Sequence, residues 1–157
     1  MIYIKTKKEI DFIRESCRIV AETLQLVGSN VKAGVTTFEL DQIGEDYIRS
    51  NNAVPAFKGY SQGSLPGFPG TICASIDDVV VHGIPGSRKL QEGDIISVDV
   101  GVLKNNFYGD AAITVAVGRI SDEKKKLLEV TERSLYLGIE QATSGKRVHD
   151  ISSAVQE

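Results

Sequence analysis

Three residues in the middle of the chain are placed for chemistry. His82 lies in VVVHGIPG, residues 79–86, and Asp99 and Asp110 lie in ISVDVGVLKNNFYGDAA just beyond it. Asp has poor strand propensity, and a carboxylate inside an apolar, β-branched run is expensive, so packing accounts for neither aspartate. The run VDVGVLKNNFYGD reads as a hairpin. If Lys104 and Asn105 form a two-residue turn, Asp99 faces Asp110 on the same side of the sheet, with Cβ atoms about 5 Å apart. A turn centred one residue later makes the two diagonal neighbours, still within reach of a shared ion.

Like charges on adjacent strands destabilise a sheet, and in an apolar setting one of them is pushed to protonate. Three remedies exist. The pair can share a proton as an acid–base dyad, it can be neutralised by Arg or Lys, or it can bind a divalent cation that favours both ionised carboxylates. The bland alternative is a solvated, exposed sheet face; Val98, Val100 and Val102 speak against it by suggesting a strand buried along part of its length. His82 follows the apolar run Val79–Val81 and is expected at a strand end beside a tight turn. There it can serve as metal ligand, acid–base group or hydrogen-bond donor to a substrate carbonyl. Cys73, in TICASI, reads as a small buried hydrophobe rather than a nucleophile. His149 has no such context and reads as a surface residue. The chain carries no P-loop and no dinucleotide fingerprint.

The elements that must position these residues follow from periodicity. Thr6 and Glu9 have capping-box spacing, and Ile10, Ile13, Cys17, Val20, Leu24 and Val27 recur at steps of three and four. They predict an amphipathic helix over about residues 7–28. Gly34 supplies a stop, and Thr36 with Glu39 a second capping box that opens a shorter helix to about residue 50. VPAFKGYSQGSLPGFPG is dense in Gly, Pro and aromatics and reads as a long loop, which in a compact domain is more often functional than idle. Strands are expected in TICASI, DVVVHG, DIISVDVGV and FYGDAAITVAVG. A second long helix runs from Ser121 toward Gly145, and VHDISSAVQE starts another.

At 157 residues the chain is the size of one domain; it is 41% hydrophobic and 25% charged, with net charge −3 and no Lys/Arg block. That argues against nucleic acid or an anionic membrane as the main partner. Its amphipathic, charged N-terminus is neither a signal peptide nor a membrane span. Two cysteines are too few for a disulfide framework and fit a reducing, cytoplasmic setting.

The two helical parts overlay at an offset of 111 residues. Gly34 falls on Gly145, Leu24 on Leu135 and Leu40 on Ile151. Residues 1–120 then form a first half that holds the hairpin, and residues 121–157 the opening helices of a second. Two helix–turn–helix segments can resemble each other by chance; if the repeat is genuine, further strands are expected beyond Glu157 and the chain is expected to be the front portion of a longer protein.

The ordered set FPGTICASIDDVVVHGIPG, LQEGDIISVDVGV and FYGDAAITVAVG resembles the type I methionine aminopeptidase family, and the likeness runs from the first helix to Glu157. It implies the pita-bread fold: an α+β architecture of antiparallel sheet covered by helices, in two pseudo-symmetric halves, the second incomplete here. It also implies removal of the N-terminal methionine from nascent peptides near the ribosome, by a monomeric enzyme. The family uses one or two divalent ions (Co, Mn, Fe, Zn or Ni) held by two Asp, one His and two Glu. By this resemblance Asp99 is a ligand to one metal and Asp110 bridges both. His82 contacts the substrate near the scissile amide, and Cys73 and Phe68 line the methionine pocket. The remaining His and both Glu lie in the second half; His149 does not fit, and Glu157 is too early. The 157 residues alone are therefore expected to bind metal weakly and to be inactive. Two other readings are a proline-specific aminopeptidase of the same fold, usually preceded by an extra domain, and a pita-bread binding module without catalysis.

Overall fold

The computed structural model describes residues 3–61, 63–64 and 66–156. Glu157, set aside above as a metal ligand, lies outside them. The chain divides into two compact units, Met1–Arg119 and Ile120–Glu157.

In the first unit both capping boxes form. The Thr6 hydroxyl accepts from the Glu9 N–H and the Glu9 carboxylate accepts from the Thr6 N–H at 2.7 Å, opening α1 (Lys7–Ser29). Thr36 and Glu39 repeat the arrangement at α2 (Thr37–Ser50). Each box satisfies two N–H groups that the first helical turn otherwise leaves orphaned. Among the described residues four antiparallel strands follow: β1 (Val54–Pro55), β2 (Ile72–Ile76), β3 (Ile95–Lys104) and β4 (Phe107–Ala116). β3 is central, with β1 and β2 along one edge and β4 along the other.

Alternation along β3 separates two faces. Ile96, Val98, Val100 and Val102 are fully buried and join Ile72 and Ala74 of β2 against Ile19, Val20, Leu24 and Val27 of α1 and Leu40 and Ile48 of α2. Burying each Val, Leu or Ile side chain of this set contributes about 1.5–3 kcal/mol. The opposite face carries Ser97, Asp99, Gly101 and Leu103.

The apolar stripe expected on α1 is only partly the buried one. Val20, Leu24 and Val27 are in the core, but Ile10 and Cys17 are exposed, and Ser16 and Ile19 are buried instead. The cause is backbone approach. A Cβ on Gly109 of β4 would lie 2.7 Å from the Cys17 nitrogen, and the Ser16 hydroxyl donates to the Phe107 carbonyl at 2.9 Å. The first half of the helix meets the hairpin through this backbone approach and through Phe12 stacked on Phe107, so Ile10 and Cys17 turn outward.

DVVVHG is not a strand. The chain turns at Asp77, which has φ 53°, and Val80 and Val81 stand 85% and 60% exposed. β2 already has β3 on one edge, and its other edge is taken up by the Asp41 carboxylate at Ile72 and by Gly83 at Ala74, so residues 79–81 have no ladder to join.

The second unit holds α3 (Asp122–Gln141), capped by Ser121, and α4 (Val148–Gln156). Its landmarks match those of the first at the offset of 111. Gly34 and Gly145 adopt φ 90° and 89°. The Thr36 N–H donates to Glu39, and the Arg147 N–H donates to Asp150. Gly44 of α2 packs on Val27 of α1; at the equivalent crossing Gly138 of α3 packs on Val155 of α4, with the small and large partners exchanged. The two glycines read as helix stops in fact shape the turn into the next helix. The helices themselves end earlier, at Ser29 and Gln141. Among the described residues, no helix is long and apolar enough to cross a membrane.

Candidate functional site

The β3–β4 turn fixes where the two aspartates meet. Asn105 and Asn106 both have positive φ, 51° and 65°. A two-residue hairpin turn whose twist matches the strands needs this conformation twice in succession; Asn tolerates it, and Lys at the first position does not favour it. The turn therefore centres on Asn105–Asn106, with Lys104 opposite Phe107. Asp99 pairs with Ala112, and Asp110 pairs with Gly101. The facing register is overturned, and the diagonal one is what forms. Asp99 and Gly101 are two apart on β3, so both carboxylates still lie on one face, away from the helices.

The same face carries Cys73, which pairs with Asp99 from the other side. A row thus crosses three strands: Cys73, Asp99 and the small Ala112, with Asp110 diagonal to its centre. Gly101 between the acids has no side chain, and the Phe57 ring fills the space; a Cβ there would lie 2.5 Å from the ring. One apolar wall and one thiol flank the pair.

Electrostatics tie four residues together. The Asp99 carboxyl is pushed above its ordinary value, first by burial and then by the charge of Asp110; the charge of His82 and a hydrogen bond from the Val100 N–H oppose this. Burial also pushes the Cys73 thiol up to about 11, with the charges of Asp99, Asp110 and Asp41 adding to it. A thiol so raised is a poor nucleophile at neutral pH, in keeping with a packing role. Asp110 is exposed and Asp99 half-buried.

His82 is exposed and sits in the loop after β2 with φ 58°, not at the strand end expected for it. Few non-glycine residues adopt that conformation. His82 nonetheless lies near enough to Asp99 for its charge to act there. Phe68 is half-buried at the neck of the long loop: its N–H donates to the Tyr60 carbonyl and its carbonyl accepts from the Gly59 N–H, both at 2.8 Å. Its place is set by that neck rather than by the sheet. His149, the second residue of α4, is exposed.

Two residues near the site escaped the sequence reading. Asp41 of α2 is 5% exposed and accepts hydrogen bonds from the N–H groups of Thr71 and Ile72, at 2.7 and 2.9 Å. It anchors the start of β2 just ahead of Cys73. Its signal was present: Thr37, Leu40, Asp41, Gly44 and Ile48 share the buried stripe of α2. Phe57 had no local signal, because its contact with Gly101 is long-range.

Asp99 and Asp110 suit a divalent cation as far as they go: two hard oxygen donors on one face, whose repulsion a cation relieves. Among the described residues, no group of three or more His, Cys, Asp or Glu is arranged to hold a metal ion.

The sequence model of metallopeptidase family M24 matches residues 11–157. The chain is 51% identical over 156 residues to methionine aminopeptidase 1 of Bacillus subtilis (strain 168), covering 99% of this chain and 61% of that protein. It is 49% identical to a methionine aminopeptidase of Clostridium acetobutylicum, covering 100% of this chain and 61% of that one. Among solved structures, the methionine aminopeptidase of Rickettsia prowazekii superposes with a TM-score of 0.94 at 38% identity, over 99% of this chain and 61% of its own. A prolidase from Pyrococcus furiosus, 20% identical with a TM-score of 0.78, shares the fold. The chain thus spans about three fifths of the length of the curated relatives it matches.

Proposed function

From the premise that this chain belongs to metallopeptidase family M24, we propose that it forms part of a metal-dependent aminopeptidase that removes the N-terminal methionine of nascent polypeptides. The observation that carries the reading is the carboxylate pair: Asp99 and Asp110 on one sheet face, Asp99 raised by burial and by its neighbour's charge. Uncompensated, that arrangement costs stability; with a divalent ion it becomes a binding site. The relatives at 41–51% identity carry the name methionine aminopeptidase, which supports methionine as the side chain accommodated.

Each residue has a role in this proposal. Asp99 and Asp110 supply two carboxylate ligands, and in the whole protein further donors complete the set. A divalent ion held there would supply Lewis-acid polarisation of an amide carbonyl and would acidify a water toward neutral pH. His82, beside Asp99, donates a hydrogen bond to the substrate amide. Cys73 forms part of the apolar pocket wall, since its thiol stays protonated, and Phe68 forms another part from the loop neck. The enzyme acts as a cytoplasmic monomer on nascent chains close to the ribosome, with no nucleic acid recognised.

The test is Mn²⁺ titration by calorimetry with the full-length protein and its Asp110→Ala and Asp99→Asn variants, alongside cleavage of a methionyl tripeptide. Both variants are expected to lose metal and at least about a hundredfold in turnover, the scale on which metal-site disruption acts. Unchanged stoichiometry and turnover in Asp110→Ala would remove that residue from the site. The 157 residues alone should bind Mn²⁺ weakly and turn over little; robust cleavage by them would overturn this.

A further inference from the structure

The loop that carries His82 is clasped to the middle of β2 through Gly83. The Gly83 N–H donates to the Ser75 hydroxyl at 3.0 Å, and the Gly83 carbonyl accepts from the Ala74 N–H at 2.8 Å. Both backbone polar groups of Gly83 are therefore taken up by two successive residues of one strand. The fit leaves no room for a side chain: a Cβ on Gly83 would lie 2.3 Å from the Ala74 carbonyl oxygen. Ser75 is 4% exposed, lies on the same sheet face as Cys73 and Asp99, and offers the only hydroxyl on β2. One residue before the clasp, His82 stands in the left-handed region at φ 58°. A side chain that pays strain in this way persists only where its surroundings over-determine the backbone. Val79–Val81 cannot do so, because Val80 and Val81 are largely solvent-exposed and join no strand. The loop is also held at Val79, whose N–H donates to the Ile76 carbonyl, and at Gly86, which bonds Thr37 and Phe38; the clasp is the attachment directly beside His82.

We propose that Ser75, with Gly83 as its partner, is a positioning residue that holds His82 in its strained conformation beside the carboxylate pair. The proposal rests on the functional reading above, in which His82 meets the substrate amide. Ser75 itself touches no substrate; it acts by keeping the Gly83 N–H engaged, so that the imidazole is presented without further ordering of the loop. Releasing the clasp lets His82 relax to an ordinary backbone conformation and move off the site.

The test is a double-mutant cycle in the full-length, metal-loaded enzyme, read as kcat/KM on a methionyl tripeptide. Ser75→Ala is expected to lose about tenfold, the effect of one lost hydrogen bond. In a His82→Ala background the same change should cost nothing further. Ser75→Thr, which keeps the hydroxyl, should restore most of the activity. Hydrogen exchange gives a readout that needs no catalysis: Ser75→Ala should speed exchange at the Gly83 amide while β3 stays protected. Should Ser75→Ala fold poorly, Ser75→Cys preserves the volume with a weak acceptor and serves in its place. A Ser75→Ala penalty that persists undiminished with His82→Ala, or unchanged exchange at Gly83, overturns the clasp while leaving the functional reading intact. Full turnover by His82→Ala overturns that reading and the clasp with it.

Discussion

Asp41 buries a carboxylate against two backbone N–H groups, and its carboxyl is raised above its ordinary 3.8, burial outweighing the hydrogen bonds from Ile72 and Thr71. The folded state therefore holds this proton more tightly than the unfolded chain. Its contribution is fully present below that ordinary value and is lost as pH rises through the raised folded value. Asp41→Asn cannot ionise, so its stability relative to the native protein should improve steadily across that window. Urea unfolding from pH 3.5 to 7 reads this directly, and parallel curves for the two proteins would contradict it. At Cys73 the consequence is kinetic. With its thiol near 11 and buried, it should alkylate with iodoacetamide far more slowly at pH 7.5 than the exposed Cys17. Mass mapping of labelled peptides separates the two, and equal labelling would argue that the site face is open and solvated.

At the scale of elements, the site depends on a turn. The left-handed Asn105–Asn106 pair sets the register of all ten paired positions of β3, and with it the diagonal placement of Asp99 and Asp110. Replacing the pair with Val–Val should cost about 1–2 kcal/mol per residue forced into that region, whereas Asn–Gly should be tolerated. Thermal melts of the two variants decide, and a stable Val–Val protein would mean the register has another source. The cap at α2 is independent of this. Thr36→Ala removes the acceptor for the Glu39 N–H and should cost about 1 kcal/mol. Gly109→Ala, by contrast, puts a methyl 2.7 Å from the α1 backbone, so it should loosen the helix–hairpin contact and destabilise more than the cap loss.

At the scale of the molecule, the core lies in the unit Met1–Arg119, where the fully buried side chains are concentrated. In Ile120–Glu157, α3 buries only Gly138, and Leu127, Val130, Leu135, Tyr136 and Ile139 are each more than half exposed. Local stability follows buried apolar contact. In the 157-residue chain, amides of β2, β3 and the second half of α1 should exchange slowest and those of α3 much faster. Uniform protection across both units would count against this. The exchanged Gly44–Val27 and Gly138–Val155 crossings give the two units one helix-pairing design with opposite assignment of the small residue.

What the sequence determined by itself was local. Capping boxes, helix periods and the alternation of β3 depend on neighbours a few residues away, and they placed α1, α2, β2, β3, β4 and α3 close to where they lie. The aspartates were legible too, because a carboxylate in a β-branched run is a local anomaly. Tertiary structure alone decided what depends on distant partners. Which positions of α1 face inward was set by Gly109, some ninety residues on. Whether DVVVHG became a strand was set by the lack of a partner along its edge, whatever its propensity. Asp41 beneath β2 and Phe57 over Gly101 join residues about thirty and forty positions apart, and Ser75 on Gly83 closes a loop of eight residues that follows no strand or helix period. Burial and hydrogen-bond satisfaction are properties of the packed whole, and a window of sequence does not contain them.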